Sequence, residues 1–432
     1  EPVIAAFILD PRQVDPHPYR SERAFHFLLQ SLHELAQELR QAEGRLHLFH
    51  GPPAQVLEQL IREDGVGAVH VNRDFTPFSR ARDAELQARC AEHGVTWQTH
   101  DDLLLHPPEH TLKSDGMPYT VFTPFYKNAC KLAVPPVNAS RPTSGLFLRE
   151  STRTAQTRGV ELEALLSQAS GESMLRGGRS EALGVLQAAA NFRGYETQRD
   201  QLGNPSTTRL SAHHKFGTIS PRESYSAFSK VLGADHGLVR QLYWRDFFTQ
   251  IAWHFPHVLG QAFQKRFSEV AWTNDRDRFS AWCEGRTGFP IVDAGMRELN
   301  ETGFMHNRAR MIVASFLTKD LHIDWRWGER YFAQKLVDYD PCVNNGSWQW
   351  AASTGCDAQP YFRIFNPWLQ QKRFDPDAAY IHRWVPELRA LAPRQLHELD
   401  KSPQRLLGYP PPIVQHGPAS QQAKALFAGQ AA

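Results

Sequence analysis

The residues best suited to chemistry lie together in one run, residues 338–355. Two carboxylates, Asp338 and Asp340, stand two positions apart, and two asparagines and a glycine follow before Trp348 and Trp350 flank a glutamine. No helix or strand period explains this mixture, and Asp, Pro, Asn and Gly favour a loop that bonds its own backbone. Because a buried indole N–H needs a partner, such a loop would suit the wall of a pocket for a flat, polar ligand. A buried tryptophan pair beneath an ordinary loop explains the run equally well.

The composition of the whole chain indicates a globular protein with two or more domains. Its 432 residues are too many for one hydrophobic core, and a net charge of +2 requires any nucleic-acid surface to be local. Five cysteines without close spacing indicate reduced thiols and a cytoplasmic location. No apolar run approaches the ~20 residues of a membrane span. We therefore expect no membrane segment. His213 and His214 have no metal-ligand partners at suitable spacing, so we expect no metal site either.

Residues 1–105 alternate between short apolar runs and helical patterns. Strands are predicted at 3–9, 45–49, 67–71 and 95–99, and helices at 21–40, 54–63 and 79–93. This alternation predicts a Rossmann-like α/β domain, in which helices cover both faces of a parallel sheet. No glycine-rich phosphate loop follows any of these strands.

The rest of the chain divides into a connector and a helical domain. The helical period fades over residues 106–175, where prolines recur, and this stretch is predicted to be a connector between domains. Residues 176–432 are predicted to form an all-α domain, with its clearest helices at 238–254, 290–299 and 304–317. The polar, Ala- and Gln-rich tail after Pro412 is expected to be frayed.

The run at 338–355 continues into Asp-Ala-Gln-Pro-Tyr-Phe-Arg-Ile-Phe-Asn-Pro at 357–367. Together the two stretches resemble the flavin-pocket signature of the photolyase/cryptochrome family. The resemblance extends from about residue 3 to about residue 390, is densest over 191–367, and is closest to the class I cyclobutane pyrimidine dimer photolyases. It implies a Rossmann-like α/β domain followed by an all-α FAD-binding domain. In the family a further strand precedes the one that matches residues 3–9, so the sheet is expected to lack its first strand.

The same resemblance implies an FAD site, with FAD reduced in the active state. It assigns cofactor contacts to Tyr195, Thr207, Thr208, Arg209, Leu210, Ser211, Arg245, Arg310, Asp338, Asp340 and Asn344. From the residues alone, hydroxyls before a helix more often form a cap, and the twelve-residue step from Tyr195 to Thr207 is what matches the family. Asp338 is expected to form an ion pair with Arg310. An amide at Asn344 could accept a hydrogen bond from N5–H of the reduced ring.

DNA contacts and an electron path are also implied by the resemblance. The resemblance assigns catalytic roles to Gln241, Trp244, Asn307, Met311, Asn344 and Trp350, of which Asn344 is the flavin partner and the others face the dimer. It assigns phosphate contacts to Arg199, Arg308 and Arg363, and electron transfer to Trp348, Trp325 and Trp272. Trp244 and Trp350 are expected to stack on the flipped bases as well. Three core tryptophans are unremarkable in a chain with eleven, so only the resemblance supports the electron path. Gln241 departs from the family, where dimer photolyases usually carry Glu.

The resemblance implies light-driven repair of cyclobutane pyrimidine dimers in UV-damaged DNA, and we expect a cytoplasmic monomer. A cryptochrome-type photoreceptor that signals to a protein partner is the first alternative, and a nucleotide-binding α/β protein without photochemistry is the second. Residues 72–83 resemble the rim of an antenna pocket in deazaflavin- or flavin-using relatives. Folate-binding relatives carry a carboxylate where Ser79 stands, so any antenna is expected to be of the deazaflavin or flavin type.

Overall fold

The chain folds into two compact units in a computed structural model that describes residues 2–137, 144–204, 206–401 and 408–429. The first unit comprises Glu1–Tyr119, Thr123–Ala190 and Arg209–Pro256, and the second comprises Thr120–Phe122, Asn191–Thr208 and His257–Ala432. The helices between 209 and 256 therefore group with the α/β part, whereas the sequence predicts a helical domain from residue 176 onward. Periodicity identifies a helix but not the partner on which it packs. No helix in the described part of the chain is long and apolar enough to cross a membrane.

Four short parallel strands form two separate pairs in the first unit. The strands are β1 (Ala5–Leu9), β2 (Leu46–His50), β3 (Ala68–Asn72) and β4 (Thr96–His100). β1 pairs with β2 and β3 pairs with β4, so the expectation of one continuous sheet is wrong for the described residues. The position of a strand can be predicted from a short run of residues, but the strand with which it forms hydrogen bonds cannot. β1 and β3 are each left with an edge that no described strand covers.

The helices account for most of the structure. In chain order they are α1 (Pro11–Val14), α2 (Glu22–Gln41), α3 (Pro53–Asp64), α4 (Pro77–Glu92), α5 (Phe122–Ala129), α6 (Arg153–Arg158), α7 (Leu162–Gln168), α8 (Arg179–Gln187), α9 (Tyr195–Gln198), α10 (Ser211–Phe216), α11 (Pro221–Leu232), α12 (Gly237–His254), α13 (Arg276–Cys283), α14 (Pro290–Thr302), α15 (Asn307–Lys319), α16 (Trp325–Lys335), α17 (Pro341–Ala352), α18 (Pro367–Phe374), α19 (Ala379–Trp384), α20 (Pro393–His397) and α21 (His416–Ala428). The predicted connector thus contains the short helices α5 to α7.

Helix α3 joins the two strand pairs of the first unit through its apolar stripe. Val56 and Leu60 pack with Phe49 of β2, while Ala54 and Leu57 pack in a second cluster with α4 and the β3–β4 pair. In the second unit, α14 and α15 cross at Gly295, where an added Cβ would lie 3.0 Å from a methyl group of Val313. This close approach lets the two helices form the centre of the largest apolar core.

The run that was expected to be a loop is helix α17. Asp340 is its N-cap, and one carboxylate oxygen accepts hydrogen bonds from the backbone N–H groups of Cys342 at 3.0 Å and Val343 at 3.1 Å. Pro341 occupies the first helical position, where a missing N–H costs nothing. The helix ends at Ser353, whose φ of 67° is left-handed. The Asp-Pro pair therefore starts a helix, and the loop prediction is wrong because it gave weight to composition over capping.

The tail that was expected to be frayed contains helix α21. Ala419, Ala423 and Phe427 recur every fourth residue and are all buried, so the helix has a narrow apolar face despite its polar composition. Packing of that face stabilises a segment whose mean composition favours disorder. The prediction of a frayed tail is therefore wrong for residues 416–428.

Three nearby side chains at the end of α15 and just beyond it hold α21 in place. The buried ammonium group of Lys319 lies 3.4 Å from the centroid of the Phe427 ring. Asp320 pairs with Nδ1 of His416 at 2.6 Å, and the His322 ring lies 2.9 Å from the carbonyl oxygen of Ala419. Burial lowers the pKa of Lys319 well below its usual value. Together these contacts make α21 part of the second unit's core.

Candidate functional site

An ion pair between Arg310 and Asp338 anchors the candidate site in the second unit. Nη2 of Arg310, on α15, donates to both carboxylate oxygens of Asp338 at 2.9 and 3.1 Å, and its Nε donates to the carbonyl oxygen of Met305 at 2.8 Å. The Asp338 side chain is 2% exposed and that of Arg310 is 25% exposed. The guanidinium group is therefore fixed by protein on one side and keeps an accessible side for a polar ligand.

Asn344, on α17, presents its amide in a defined orientation. Its Nδ2 lies 3.3 Å from the backbone carbonyl oxygen of Glu329 and 3.3 Å from Oε1 of the same residue. Because a carbonyl oxygen can only accept, the NH2 group must point to Glu329. No described residue donates to the amide oxygen of Asn344, which is thus available to an N–H donor. This acceptor fits the N–H edge of a reduced flavin ring.

Glu329 is a site residue that is not predicted from the sequence. It is 6% exposed, and burial raises the pKa of its carboxyl to about 7. Near neutral pH the group is partly protonated, so it can donate a hydrogen bond as well as accept one. The sequence does contain a sign that Glu329 is buried, because it lies on the apolar stripe of α16 with Trp325, Gly328 and Phe332. A lone carboxyl on a buried stripe indicates a functional or paired group.

The residues assigned to the FAD phosphates lie on short elements. Tyr195 is buried at the start of α9, with the Arg199 guanidinium 5.5 Å from its ring centroid. Thr207 and Thr208 are half-buried in the second unit. In the first unit, Arg209 has a left-handed φ of 54°, and it precedes the buried Leu210 and the exposed Ser211 that begins α10. In the second unit, Asp340 caps α17, so one of its oxygens is used by the backbone.

Helix α12 of the first unit carries three assigned residues. Gln241 is half-buried, and its Nε2 donates to the carbonyl oxygen of Gly237 at 3.2 Å. Trp244 packs against Phe248 with ring centroids 5.6 Å apart, and Arg245 donates to the carbonyl oxygen of Leu103. One N–H of the Gln241 amide is thus used within its own helix, and the second N–H is left to donate to a ligand.

Asn307 and Met311 lie on one face of α15, as the spacing predicts. The exposed Asn307 amide is 3.6 Å from the Met311 sulfur, one helical turn away. Trp350, on α17, is half-buried and also keeps part of its ring accessible. These side chains are available for contact with a flat ligand.

The three arginines assigned to DNA phosphates differ in their surroundings. Arg308 is only 14% exposed and is paired with Asp200 at 2.9 Å, and its guanidinium lies 4.3 Å from the Phe374 ring centroid. Arg199 lies 3.9 Å from the same carboxylate. Arg363 is exposed. A phosphate would have to compete with Asp200 for Arg308, whereas Arg363 can bind one without giving up a described ion pair.

The three assigned indoles all lie in the second unit but do not touch one another. Trp348 fits against the backbone of Gly328, where any Cβ would collide with the indole ring. Trp325 is buried under the guanidinium of Arg326 at 5.0 Å, and Trp272 meets Phe427 edge-on at 5.7 Å. Among the described rings, none of these three tryptophans contacts another, so transfer between them has to cross the gaps that separate their rings.

The segment that resembles an antenna rim begins helix α4. Thr76 caps this helix, and its hydroxyl lies 2.9 Å from that of the buried Ser79. A cavity of about 140 Å³ lies nearby in the same unit, at the carboxyl ends of β1 and β2. Asp10, Pro11, Arg12, Pro52, Pro53, Ala54 and Glu85 line it. Within the described residues, no group of His, Cys, Asp and Glu side chains is arranged to hold a metal ion.

Two family models match the chain. The model described as DNA photolyase matches residues 1–142, and the model described as the FAD binding domain of DNA photolyase matches residues 238–429. The second match contains α12 and the Arg310, Asp338 and Asn344 cluster described above.

Individual proteins match over nearly the whole chain. A deoxyribodipyrimidine photo-lyase from Synechococcus is 38% identical, over 98% of this chain and 90% of its own. The crystal structure of an archaeal photolyase from Sulfolobus tokodaii with two FAD molecules is 42% identical, with a TM-score of 0.89 over 99% of this chain and 94% of that chain. A bacterial class III photolyase from Agrobacterium tumefaciens is 35% identical, with a TM-score of 0.90 over 100% of this chain and 92% of that chain.

Proposed function

This chain belongs to the photolyase/cryptochrome family, and we propose that it is a light-driven enzyme that splits cyclobutane pyrimidine dimers in DNA with FAD as its cofactor. The observation that carries the proposal is the cluster of Arg310, Asp338, Asn344 and Glu329, which offers an oriented cation and an open amide oxygen to a flavin. When bound and reduced, FAD supplies the light absorption and the single electron that opens the cyclobutane ring.

The experiment that tests this function is a repair assay with one defined lesion. Purified protein with its flavin reduced is mixed with an oligonucleotide that carries a single thymine dimer, and the dimer is quantified after blue light and after darkness. We expect loss of the dimer only in the illuminated sample. Intact dimers after illumination, with flavin bound, would favour the cryptochrome alternative instead. A purified protein without a flavin spectrum would favour the nucleotide-binding alternative.

The residues have separate proposed roles. Asp338 orients Arg310 toward the cofactor. The amide oxygen of Asn344 accepts a hydrogen bond from the N–H edge of the flavin ring. Further cofactor contacts are proposed for Tyr195, Thr207, Thr208, Arg209, Leu210, Ser211, Arg245 and Asp340. Asn307, Met311, Trp244 and Trp350 are proposed to contact the flipped dimer, and stacking on an aromatic ring contributes roughly 1–3 kcal/mol per base. Extrusion of the dimer from the duplex costs a few kcal/mol.

Replacement of Gln241 by Glu is expected to raise the quantum yield of repair. The neutral amide of Gln241 is proposed to donate to the dimer, but it cannot release a proton to the developing negative charge. A protonated carboxyl is a stronger donor to that charge. Affinity for damaged DNA should change by no more than about 1 kcal/mol, the scale of one neutral hydrogen bond. The measurements are the quantum yield and the dissociation constant of the same oligonucleotide.

The control for this prediction is Gln187→Glu, at an exposed position at the end of α8, which changes the net charge equally. It should leave the yield unchanged. A Gln241→Glu enzyme that repairs no better than the parent would contradict the role of Gln241. Repair of (6-4) lesions by the parent would also contradict this pocket, because (6-4) photolyases place two histidines where this chain has His306 and Asn307.

Arg363→Ala is expected to weaken DNA binding through the loss of one phosphate contact. The logarithm of affinity falls with the logarithm of salt by about 0.9 per phosphate contacted, so the slope should become shallower by about that amount. Arg308→Ala should change the slope less, because Asp200 already neutralises Arg308. Arg394→Ala, at a side chain that is 88% exposed beside Glu398, is the control and should not alter it. An unchanged slope in Arg363→Ala would exclude this residue from the DNA footprint.

A second chromophore is proposed for the first unit, where residues 72–83 resemble an antenna rim. The Sulfolobus tokodaii relative contains two FAD molecules, which supports a flavin-type antenna over folate. Ser79 bonds to the N-cap of α4 and supplies no carboxylate for a pterin. Tight, stoichiometric binding of folate on reconstitution would contradict this proposal.

A cytoplasmic, monomeric protein is proposed as well. None of the five cysteines, all of which lie in the described residues, forms a disulfide bond, which suits a reducing compartment. One copy of the chain contains all the residues assigned to the cofactor and the dimer, so repair does not require a second copy.

A further inference from the structure

Trp348 contacts a second buried indole that no assigned electron path includes. The ring centroids of Trp348 and Trp282 lie 6.1 Å apart at an angle of 70°. Trp282, on α13, has no exposed surface, and its indole N–H donates to the carbonyl oxygen of Val313 at 3.0 Å. A hydrogen bond from the indole N–H to a carbonyl oxygen stabilises positive charge on the ring, and the carbonyl is too weak a base to take the proton.

A continuous set of rings leads from Trp282 to the surface. Phe279 stacks on Trp282 with centroids 5.9 Å apart and ring planes 19° apart. Trp327, on α16, meets Phe279 edge-on at 5.2 Å and is half-buried. Trp327 can therefore exchange an electron with a reductant in solution, and Phe279 serves as a neutral spacer between the two indoles.

We propose that Trp282 and Trp327 form a second exit for positive charge from Trp348, parallel to the path through Trp325 and Trp272. The inference rests on the proposed flavin function. During photoreduction, Trp348 gives one electron to the light-excited cofactor and regains one from Trp282, which regains one from Trp327. The charge left on Trp327 is neutralised by one electron from an external thiolate, which becomes a thiyl radical. One electron thus enters at the surface for each one that reaches the cofactor.

Local charges favour the second exit over its competitor. The guanidinium of Arg326 lies over the Trp325 ring at 5.0 Å and disfavours a second positive charge there, although its ion pair with Asp324 at 2.9 Å offsets part of this effect. Within the described part of the chain, no Lys or Arg side chain stacks over Trp282 or Trp327. Positive charge on these two indoles therefore meets less repulsion.

Tyr331 also contacts Trp282, with centroids 5.8 Å apart, but it is a poorer exit than Trp327. Oxidation of a tyrosine requires loss of its phenolic proton. The Tyr331 hydroxyl lies 2.6 Å from Oδ1 of Asn300 and 3.0 Å from the carbonyl oxygen of Cys283. Amide oxygens are weak bases and do not take that proton.

The test compares Trp325→Phe, Trp327→Phe and the double variant in thiol-driven photoreduction of the bound flavin. Because the rates of parallel routes add and local charges favour the second exit, Trp325→Phe should keep more than about half of the wild-type rate. The double variant should fall at least about tenfold below the wild type. A nitroso spin trap followed by peptide mass spectrometry provides an independent readout, and it should place an adduct on Trp327 in illuminated Trp325→Phe protein. Trp384→Phe, at another buried tryptophan of the same core, controls for loss of ring packing.

The photoreduction rates and the position of the adduct each test the second exit. A Trp325→Phe protein as slow as the double variant would overturn the second exit, and so would an undiminished rate in the double variant or the absence of a Trp327 adduct. If the wild type itself binds flavin but shows no photoreduction, the electron paths are both wrong. If it binds no flavin, the proposed function fails as well.

Discussion

Trp348→Phe is expected to suppress photoreduction of the oxidised flavin and to leave repair by enzyme that is already reduced nearly intact. Both proposed routes begin at Trp348, so its loss removes their common donor, and a phenyl ring is much harder to oxidise than an indole. The rate should fall by more than about tenfold, equivalent to at least about 1.4 kcal/mol of barrier. Repair needs no electron from the tryptophans, because the reduced cofactor supplies it. The measurements are flavin absorbance under light with an external thiol, and dimer repair after chemical reduction.

The packing of Trp348 makes a control necessary. Its ring fills the space beside Gly328 and lies 4.9 Å from the Phe332 ring centroid, so a smaller ring leaves a partial cavity. Trp368→Phe makes a similar change at a buried tryptophan that contacts Phe289 instead. Photoreduction at the wild-type rate in Trp348→Phe, with flavin content preserved, would remove Trp348 from both routes.

Asp338→Asn is expected to destabilise the second unit and to release FAD. The substitution leaves the Arg310 guanidinium with a neutral partner in a site where the carboxylate side chain is 2% exposed. Loss of one member of a buried ion pair costs about 3 kcal/mol or more, so the free energy of unfolding should fall by about that amount. The cofactor should dissociate during purification, because Arg310 is no longer held in one orientation. Denaturant unfolding measures the first effect, and the ratio of flavin to protein absorbance measures the second.

Glu387→Gln supplies the matched control for the ion pair. Glu387 also pairs with an arginine, Arg297, at 2.8 Å, but both side chains are more than a fifth exposed. The Glu387 carboxylate is much less buried than that of Asp338, so its pair should lie nearer the surface range of about 0–1 kcal/mol, and this variant should keep most of its stability and all of its flavin. If Asp338→Asn bound flavin as tightly as Glu387→Gln, the Arg310 and Asp338 pair would not orient the cofactor.

Local signals in the sequence explain which parts of the fold could be predicted and which could not. The four strands begin within two residues of their predicted positions, because a Pro or Gly lies within three residues before each of them. Asp340 and Pro341 were interpreted as loop residues, although the same pair is a helix start. The buried face of α21 is hard to see in the sequence because its three buried residues are small or widely spaced and lie among Gln, Ser, Lys and His.

The candidate site was predicted from resemblance and not from residue spacing. Arg310 and Asp338 are far apart in the sequence, and no periodicity indicates that they meet. Glu329 was missed because a single glutamate in a helix is usually solvated, and only its neighbours on the stripe mark it as buried. The engagement of Arg308 by Asp200 depends on how α15 packs beside the turn after α9, and such tertiary contacts are invisible to pattern analysis.

The attachment of α21 has a consequence for how the chain folds during synthesis. Domains tend to fold in the order in which they leave the ribosome, yet Lys319 is covered by Phe427, which is made much later. Until that residue emerges, the Lys319 side chain has to remain hydrated and charged. The second unit is therefore expected to stay partly open on the ribosome, and to complete its core only when its last helix binds.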